Sequence, residues 1–263
     1  MTDPDHDAML AHYRQQNEAA RLTRAGHSRL ELERTRELLI RFLPPTPARI
    51  LDVGGGTGVH AAWLTTAGYR VQLVDAVPEH VETALSYGTF GAALGDARRL
   101  VEPDASVDGV LLLGPLYHLT SAGDRHVALR EAHRVLRPGG VLLAAAISRH
   151  MAVLDWAAAG GLTDEIVARL RPMLATGEHD TTLGFAPAHF HRADEFAEEV
   201  TAAGYADVRV LGIEGPAWPA VDAADEDRRP DIMASALRCA RLLEDDPAVV
   251  AASGHLMAVG IRP

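Results

Sequence analysis

The sequence predicts an α/β fold, a doubly wound and mostly parallel sheet with helices on both faces. Three observations predict it. From residue 28 to residue 148 short apolar runs alternate with helical stretches, the rhythm of strand–helix–strand units. One run, VDGVLLLG, is almost continuously apolar, as a strand covered on both faces must be. A glycine cluster, GGGTG, stands between an apolar run and a helical stretch, where the chain must turn sharply.

In order along the chain, residues 28–43 (SRLELERTRELLIRFL) read as a helix. Ser28 and Glu31 form a capping-box pattern, Leu32, Leu39 and Leu43 an apolar stripe, and Arg34 and Glu37 fall on other faces. Pro44, Pro45 and Pro47 stop the helix. ARILDV is the first strand, VHAAWLTTAG a helix, YRVQLVDA the second strand, and Pro78 opens the next helix. The third strand is short and ends in AALGDARRL. VDGVLLLG is the fourth, and HVALREAHRVL is helical. RPGG then turns the chain into a fifth strand, VLLAAAIS. After residue 148 the rhythm breaks. Residues 149–190 hold two helical pieces and a loop, ATGEHDTTLGFAPAHFH, and read as an insertion on the sheet scaffold. The alternation returns with ADEFAEEVTAAG and ADVRVLGI, then a helix, DIMASALRCARLLE, and a closing strand, HLMAVGI. Residues 214–230, rich in Pro, Ala and acid, read as a long loop, mobile or part of a lid.

The 263 residues are ample for one core, and 48% hydrophobic with 23% charged residues is an ordinary globular balance. Twenty-five basic against 36 acidic residues give a net charge of −11, which argues against a non-specific nucleic-acid binder. A single cysteine, Cys239, excludes an internal disulfide framework and reads as a small core residue. No apolar run reaches a membrane span, and MTDPDHDAML lacks the parts of a signal peptide, so a soluble cytoplasmic protein is expected. Every basic residue is arginine. Without lysine there is no Schiff-base lysine, no pyridoxal-phosphate anchor and no Walker A loop.

LDVGGGTG, residues 51–58, is the strongest local signal. Glycines let the backbone approach a ligand, and the helix behind them points its first amides at it. A dinucleotide fingerprint would need a third small residue where Val59 stands, which weakens that reading and leaves it open.

In these residues the chain resembles the class I S-adenosylmethionine (SAM)-dependent methyltransferases. LDVGGGTG is similar to the family's first motif and Asp75 to the acid after the second strand. GDARRL is similar to the adenine segment, VDGVLLLGPLYHL to the fourth-strand motif, and LREAHRVLRPGGVLLAAAIS to the following helix, turn and strand. The resemblance is good over 28–148 and loose elsewhere. It implies a seven-stranded Rossmann-like sheet in one domain, 1–263, with an N-terminal cap segment at 1–27 and a lid insertion at 149–190. It also implies SAM as cofactor, with S-adenosyl-L-homocysteine (SAH) as product.

Site roles follow. Asp75, about twenty residues past the first glycine, can accept from both ribose hydroxyls. Asp96 can accept from the adenine amino group, and the Ala97 amide can bond a ring nitrogen. The backbone at Gly54 and Gly56 can receive the amino-acid part, and Leu113 belongs to the fourth-strand motif beside the cofactor. In the cap segment Tyr13 and Arg21 loosely match an inward-facing Tyr and Arg-Leu pair of related enzymes; the bland reading of Arg21, Arg24 and Arg29 is a solvated helix face. The acceptor belongs beyond the strand ends, near Gly114–His118 and the insertion. Tyr117 and His118 are the candidate catalytic residues, His118 as a general base if the acceptor must lose a proton. No N/D-P-P-Y/F motif follows the fourth strand, so a small-molecule acceptor is expected rather than nucleic acid. Trp156, His179, Phe185, His189, Phe190 and His191, with Trp218 beyond, suit an organic pocket. His189 and His191 would share a face if extended, but spacing indicates no third ligand, so no metal is assigned. A nicotinamide-dependent oxidoreductase on a similar sheet and a non-catalytic SAM-binding protein remain as alternatives. Oligomeric state is not legible.

Overall fold

The computed structural model describes residues 4–15 and 26–263. Its strands are β1 (Arg49–Val53), β2 (Arg70–Asp75), β3 (Gly91–Leu94), β4 (Val107–Leu112), β5 (Leu136–Ile147), β6 (Ala206–Gly212) and β7 (His255–Ile261). They form one sheet in the order β3-β2-β1-β4-β5-β7-β6. β1 to β5 are parallel, and β7 runs antiparallel to both of its neighbours. This is the predicted doubly wound, mostly parallel sheet.

The helices are α1 (Pro4–Gln15), α2 (His27–Phe42), α3 (Val59–Thr66), α4 (Pro78–Leu85), α5 (Pro115–His118), α6 (Ala122–Val135), α7 (Met151–Ala158), α8 (Asp164–Thr176), α9 (Ala193–Ala202), α10 (Trp218–Asp222) and α11 (Arg229–Leu243). None is long and apolar enough to cross a membrane. Alternate strand residues feed opposite faces. Leu51, Val53, Val110, Leu112, Leu142 and Ala144 pack under α6 and α9 with Leu129 and Phe196. Ile50, Leu73, Leu111 and Leu143 pack under α2 and α3 with Leu38, Leu39 and Leu64. Both faces being covered explains why these strands read as continuous apolar runs.

Four local expectations are corrected. The capping box of α2 is absent: the helix starts behind Gly26, whose φ is +88°, with no side chain capping it, and Glu31 is buried. Arg34 is not on an open face but wholly buried. Its Nε donates to Ile213 O at 3.2 Å, and it pairs with Glu37 and, at 2.6 Å, with Glu244. The cause is that α2 touches α11 as well as the sheet, so a second face is covered. RPGG is part of β5 rather than a turn before it. Leu136 already pairs with Val107, the register shifts before Gly109, and the Gly139 amide donates to Arg262 O at 2.7 Å. Residues 214–230 are not a loose loop. They include α10, and Trp218 is fully buried with its Nε1 donating to Ala252 O at 3.1 Å.

Within 149–190, α7, α8 and a short 3-10 turn at Thr181–Leu183 build their own apolar cluster around Leu170, Met173 and Phe190. Tyr117 and Ile147 join it, so this layer sits over the strand ends.

Candidate active site

The glycine loop leaves β1 at Val53. Gly54 has φ +68°, and a Cβ there would come within 2.5 Å of Pro115 Cγ, so only glycine lets the loop lie against α5. Asp75, at the end of β2, braces the loop. Its Oδ2 accepts from the Gly56 amide at 2.8 Å and its Oδ1 from the Val77 amide at 2.9 Å. His80 Nδ1 lies 3.2 Å from the same Oδ1.

A cleft of about 440 Å³ opens above the C-terminal strand ends, where the sheet order reverses between β1 and β4. Gly54, Gly56, Asp75, Asp96, Ala97 and Leu113 line it together, and α1 adds Tyr13. Arg21 lies outside the described residues. Arg29 belongs to the solvated face: it pairs with Glu33 at 3.1 Å. Asp96 carries a partner the sequence did not indicate. Arg98 reaches both its oxygens, Nη2 to Oδ2 at 2.7 Å and Nε to Oδ1 at 3.1 Å, and extends to Asp124 at 3.1 Å.

Asp52 is a site residue the sequence reading missed. It lines the cleft and is 1% exposed, and its Oδ2 has no hydrogen-bond partner among the described residues. Burial, and then the charge of Asp75, push its carboxyl up to about 7. A charged residue inside a buried strand, one place before its end, was the available signal.

Beside the cleft lies a second cavity of about 340 Å³. Trp156 of α7, His179, Phe185 and Phe190 line it, as the sequence suggested, with His27 and Asp155 adding titratable groups. Three described residues line both spaces: Tyr13, Tyr117 and His255. His118 lines the cleft. Its Nδ1 lies 3.2 Å from Pro187 O, which can only accept, so Nδ1 carries the proton. Nε2 then accepts from the Tyr13 hydroxyl at 2.6 Å. The ring stacks on Phe185 at 5.6 Å. His118 lines the cleft but not the second cavity.

His189 and His191 share a face, their rings 4.6 Å apart, but they turn away from both spaces. His189 Nε2 meets Glu195 at 2.8 Å and His191 Nε2 meets Glu199 at 3.4 Å, tying the base of the insertion to α9. Burial, then His191 and Arg125, pull His189 down to about 4, so it is neutral at pH 7. Trp218 likewise belongs elsewhere, packed with Leu30, Val221 and Ala236. Cys239 is half-buried in α11.

Residues 51–144 match the methyltransferase domain family. The chain is 38% identical over 102 residues to a ubiquinone/menaquinone biosynthesis C-methyltransferase of Rubrivivax gelatinosus, covering 38% of this chain and 39% of that one. It is 31% identical over 131 residues to a ubiquinone biosynthesis O-methyltransferase of Xanthomonas oryzae pv. oryzae, covering 48% and 52%. The matches thus span about half or less of these relatives' lengths. In fold it is similar to a SAM-dependent methyltransferase of Thermotoga maritima, described as a possible histamine N-methyltransferase. The TM-score is 0.61 at 18% identity, covering 97% of this chain and 100% of that one. Residues 51–144 are thus similar in sequence to a methyltransferase domain, and the sheet as a whole has the fold of solved SAM-dependent methyltransferases.

Proposed function

We propose that this chain transfers a methyl group from SAM, held in the cleft, to a small organic acceptor held in the adjoining cavity, and releases SAH. The observation that carries the reading is the junction: two spaces of about 440 and 340 Å³ meet at Tyr13, Tyr117 and His255.

The residues present fit the cofactor. Asp52 offers a buried carboxylate oxygen with no hydrogen-bond partner among the described residues, suited to an ammonium group. Gly54 and Gly56 line the same cleft as backbone for the amino-acid part, Asp75 offers a carboxylate to a diol, and Asp96 and Ala97, in that lining too, can serve a purine edge. When bound, SAM supplies an electrophilic methyl on a sulfonium. The chain's share is mainly alignment and exclusion of water. Tyr13, held by His118, covers the cleft from α1, and Tyr117 fills the corner between the two spaces. In this reading residues 1–263 act as one domain, with 1–27 as cap and 149–190 as acceptor lid.

The division of labour is testable on Trp156, which lines only the second cavity. Trp156→Ala should raise KM for the acceptor by about tenfold, equivalent to ~1.4 kcal/mol of lost contact, and leave SAH affinity unchanged. Calorimetric SAH titration beside acceptor kinetics checks it. A loss of SAH binding in the folded variant would place Trp156 with the cofactor.

A further inference from the structure

We propose that Glu214 and His255 form a catalytic dyad, with His255 as the general base that deprotonates an O–H or N–H acceptor and Glu214 as its positioning residue. The inference rests on the methyl-transfer reading and adds to it the kind of acceptor and the group that takes its proton.

The topology brings the pair to the active edge. β7 is antiparallel, so its first residue lies at the same end as the last residues of the parallel strands, and His255 pairs directly with Ile147. Glu214 follows the end of β6, the strand on the other side of β7. Glu214 has no exposure to solvent. Its Oε1 lies 2.5 Å from His255 Nδ1, and its Oε2 accepts from the His255 amide at 2.8 Å and Ser253 Oγ at 2.9 Å. Ser253 Oγ accepts in turn from the amides of Glu214 and Gly215. A carboxylate held this way has one orientation.

The chemistry follows. A carboxylate can only accept, so the Nδ1 of a neutral His255 carries the proton and Nε2 carries the lone pair. His255 lines both the cofactor cleft and the acceptor cavity, where a base has to stand. His255 Nε2 takes the proton of the acceptor's O–H or N–H, and that bond's electron pair stays on the acceptor atom. The acceptor atom bonds to the methyl carbon as the carbon–sulfur pair returns to sulfur. The imidazolium formed faces the Glu214 carboxylate until the proton passes to solvent. Burial makes that carboxylate an effective partner for a charge that appears only during reaction. Trp156, Phe185 and Phe190 give the cavity flat apolar walls, so the acceptor class is a planar aromatic hydroxyl or amine.

Glu31 also approaches. Ligand-capable atoms of Glu31, Glu214 and His255 fall within 4.8 Å of one another. Both oxygens of Glu214 already accept hydrogen bonds from protein groups, which favours a proton-transfer site over a cation site.

The test combines spectroscopy and kinetics. Nitrogen-15 NMR of the SAH-bound protein, with His255 assigned through His255→Gln, should show the Nδ1–H tautomer and a strongly downfield Nδ1 proton. Glu214→Gln should lose that downfield signal. With a panel of mono- and bicyclic phenols and arylamines as methyl acceptors, His255→Gln should lower kcat on the order of 10²–10⁴-fold with SAH affinity unchanged. Glu214→Gln should lower kcat rather than raise KM. An Nε2–H tautomer in the wild type, or a normal kcat in His255→Gln, overturns the dyad even if that variant folds poorly, since the tautomer is read on wild type. Turnover lost to a chelator and restored by Mg²⁺ or Mn²⁺ would also overturn it, in favour of a metal at the same trio. If SAH fails to bind the wild type, the parent reading fails first.

Discussion

Replacing Asp75 by alanine should weaken SAH binding by a hundredfold or more. In the proposed role Asp75 would accept from two ribose hydroxyls, each charged hydrogen bond worth ~1.5–3 kcal/mol. It also holds the cleft open in shape: its two oxygens tie the Gly56 amide in the glycine loop to the Val77 amide beyond β2. Ala severs both ties, so the loss exceeds that of the ribose contacts alone. Asp75→Asn keeps one acceptor oxygen and should fall between wild type and Ala. Isothermal titration of SAH into the three proteins checks this. Unchanged affinity in the Ala variant would remove Asp75 from the cofactor site.

Asp52 yields the second large effect, on both stability and binding. Burial, then Asp75, raise its carboxyl from 3.8 to about 7 in the ligand-free protein. A carboxyl raised in the folded state holds its proton there longer than in the unfolded chain. Its contribution is therefore fully present below pH 3.8 and is lost as pH rises toward 7. The loss is on the order of 4 kcal/mol when complete. Asp52→Asn cannot titrate, so ligand-free Asn variant should lack this decline and be the more stable protein at pH 8. Urea unfolding from pH 5 to pH 8 measures it. Binding should move the other way. A cationic ammonium favours the ionised carboxylate, so SAH binding near pH 6 releases a proton, seen as dependence of the heat on the buffer's ionisation enthalpy. Asp52→Asn should abolish that release and weaken SAH by about tenfold or more, the worth of one charge-assisted hydrogen bond. A wild type with no proton release would place the ammonium away from Asp52.

What was legible in the sequence was local. The strands announced themselves because both faces of the sheet are covered, so Leu51, Val110 and Leu142 on one side and Ile50, Leu111 and Leu143 on the other give runs that are mostly apolar. The glycine loop and Asp75 sit within one strand–helix–strand unit, where spacing along the chain reflects spacing in the fold. Long-range partners were not legible. Arg34 is buried because Glu244, 210 residues away, meets it. Glu214 and His255 are 41 residues apart and meet only because β6 and β7 pair antiparallel. His118 was found by its place after β4, but its partners, Tyr13 and Pro187, come from α1 and the insertion. The His189–His191 spacing indicates one shared face, yet nothing local shows that Glu195 and Glu199 of α9 occupy it.

The claim that the cleft is a SAM site is tested most directly by titrating the wild-type chain with SAH, SAM and NADH in parallel calorimeter runs. Saturable one-to-one binding of SAH, displacement of SAH by SAM, and no binding of NADH are expected. Saturable binding of NADH with none of SAH would contradict it and return the chain to the dinucleotide reading of its glycine loop.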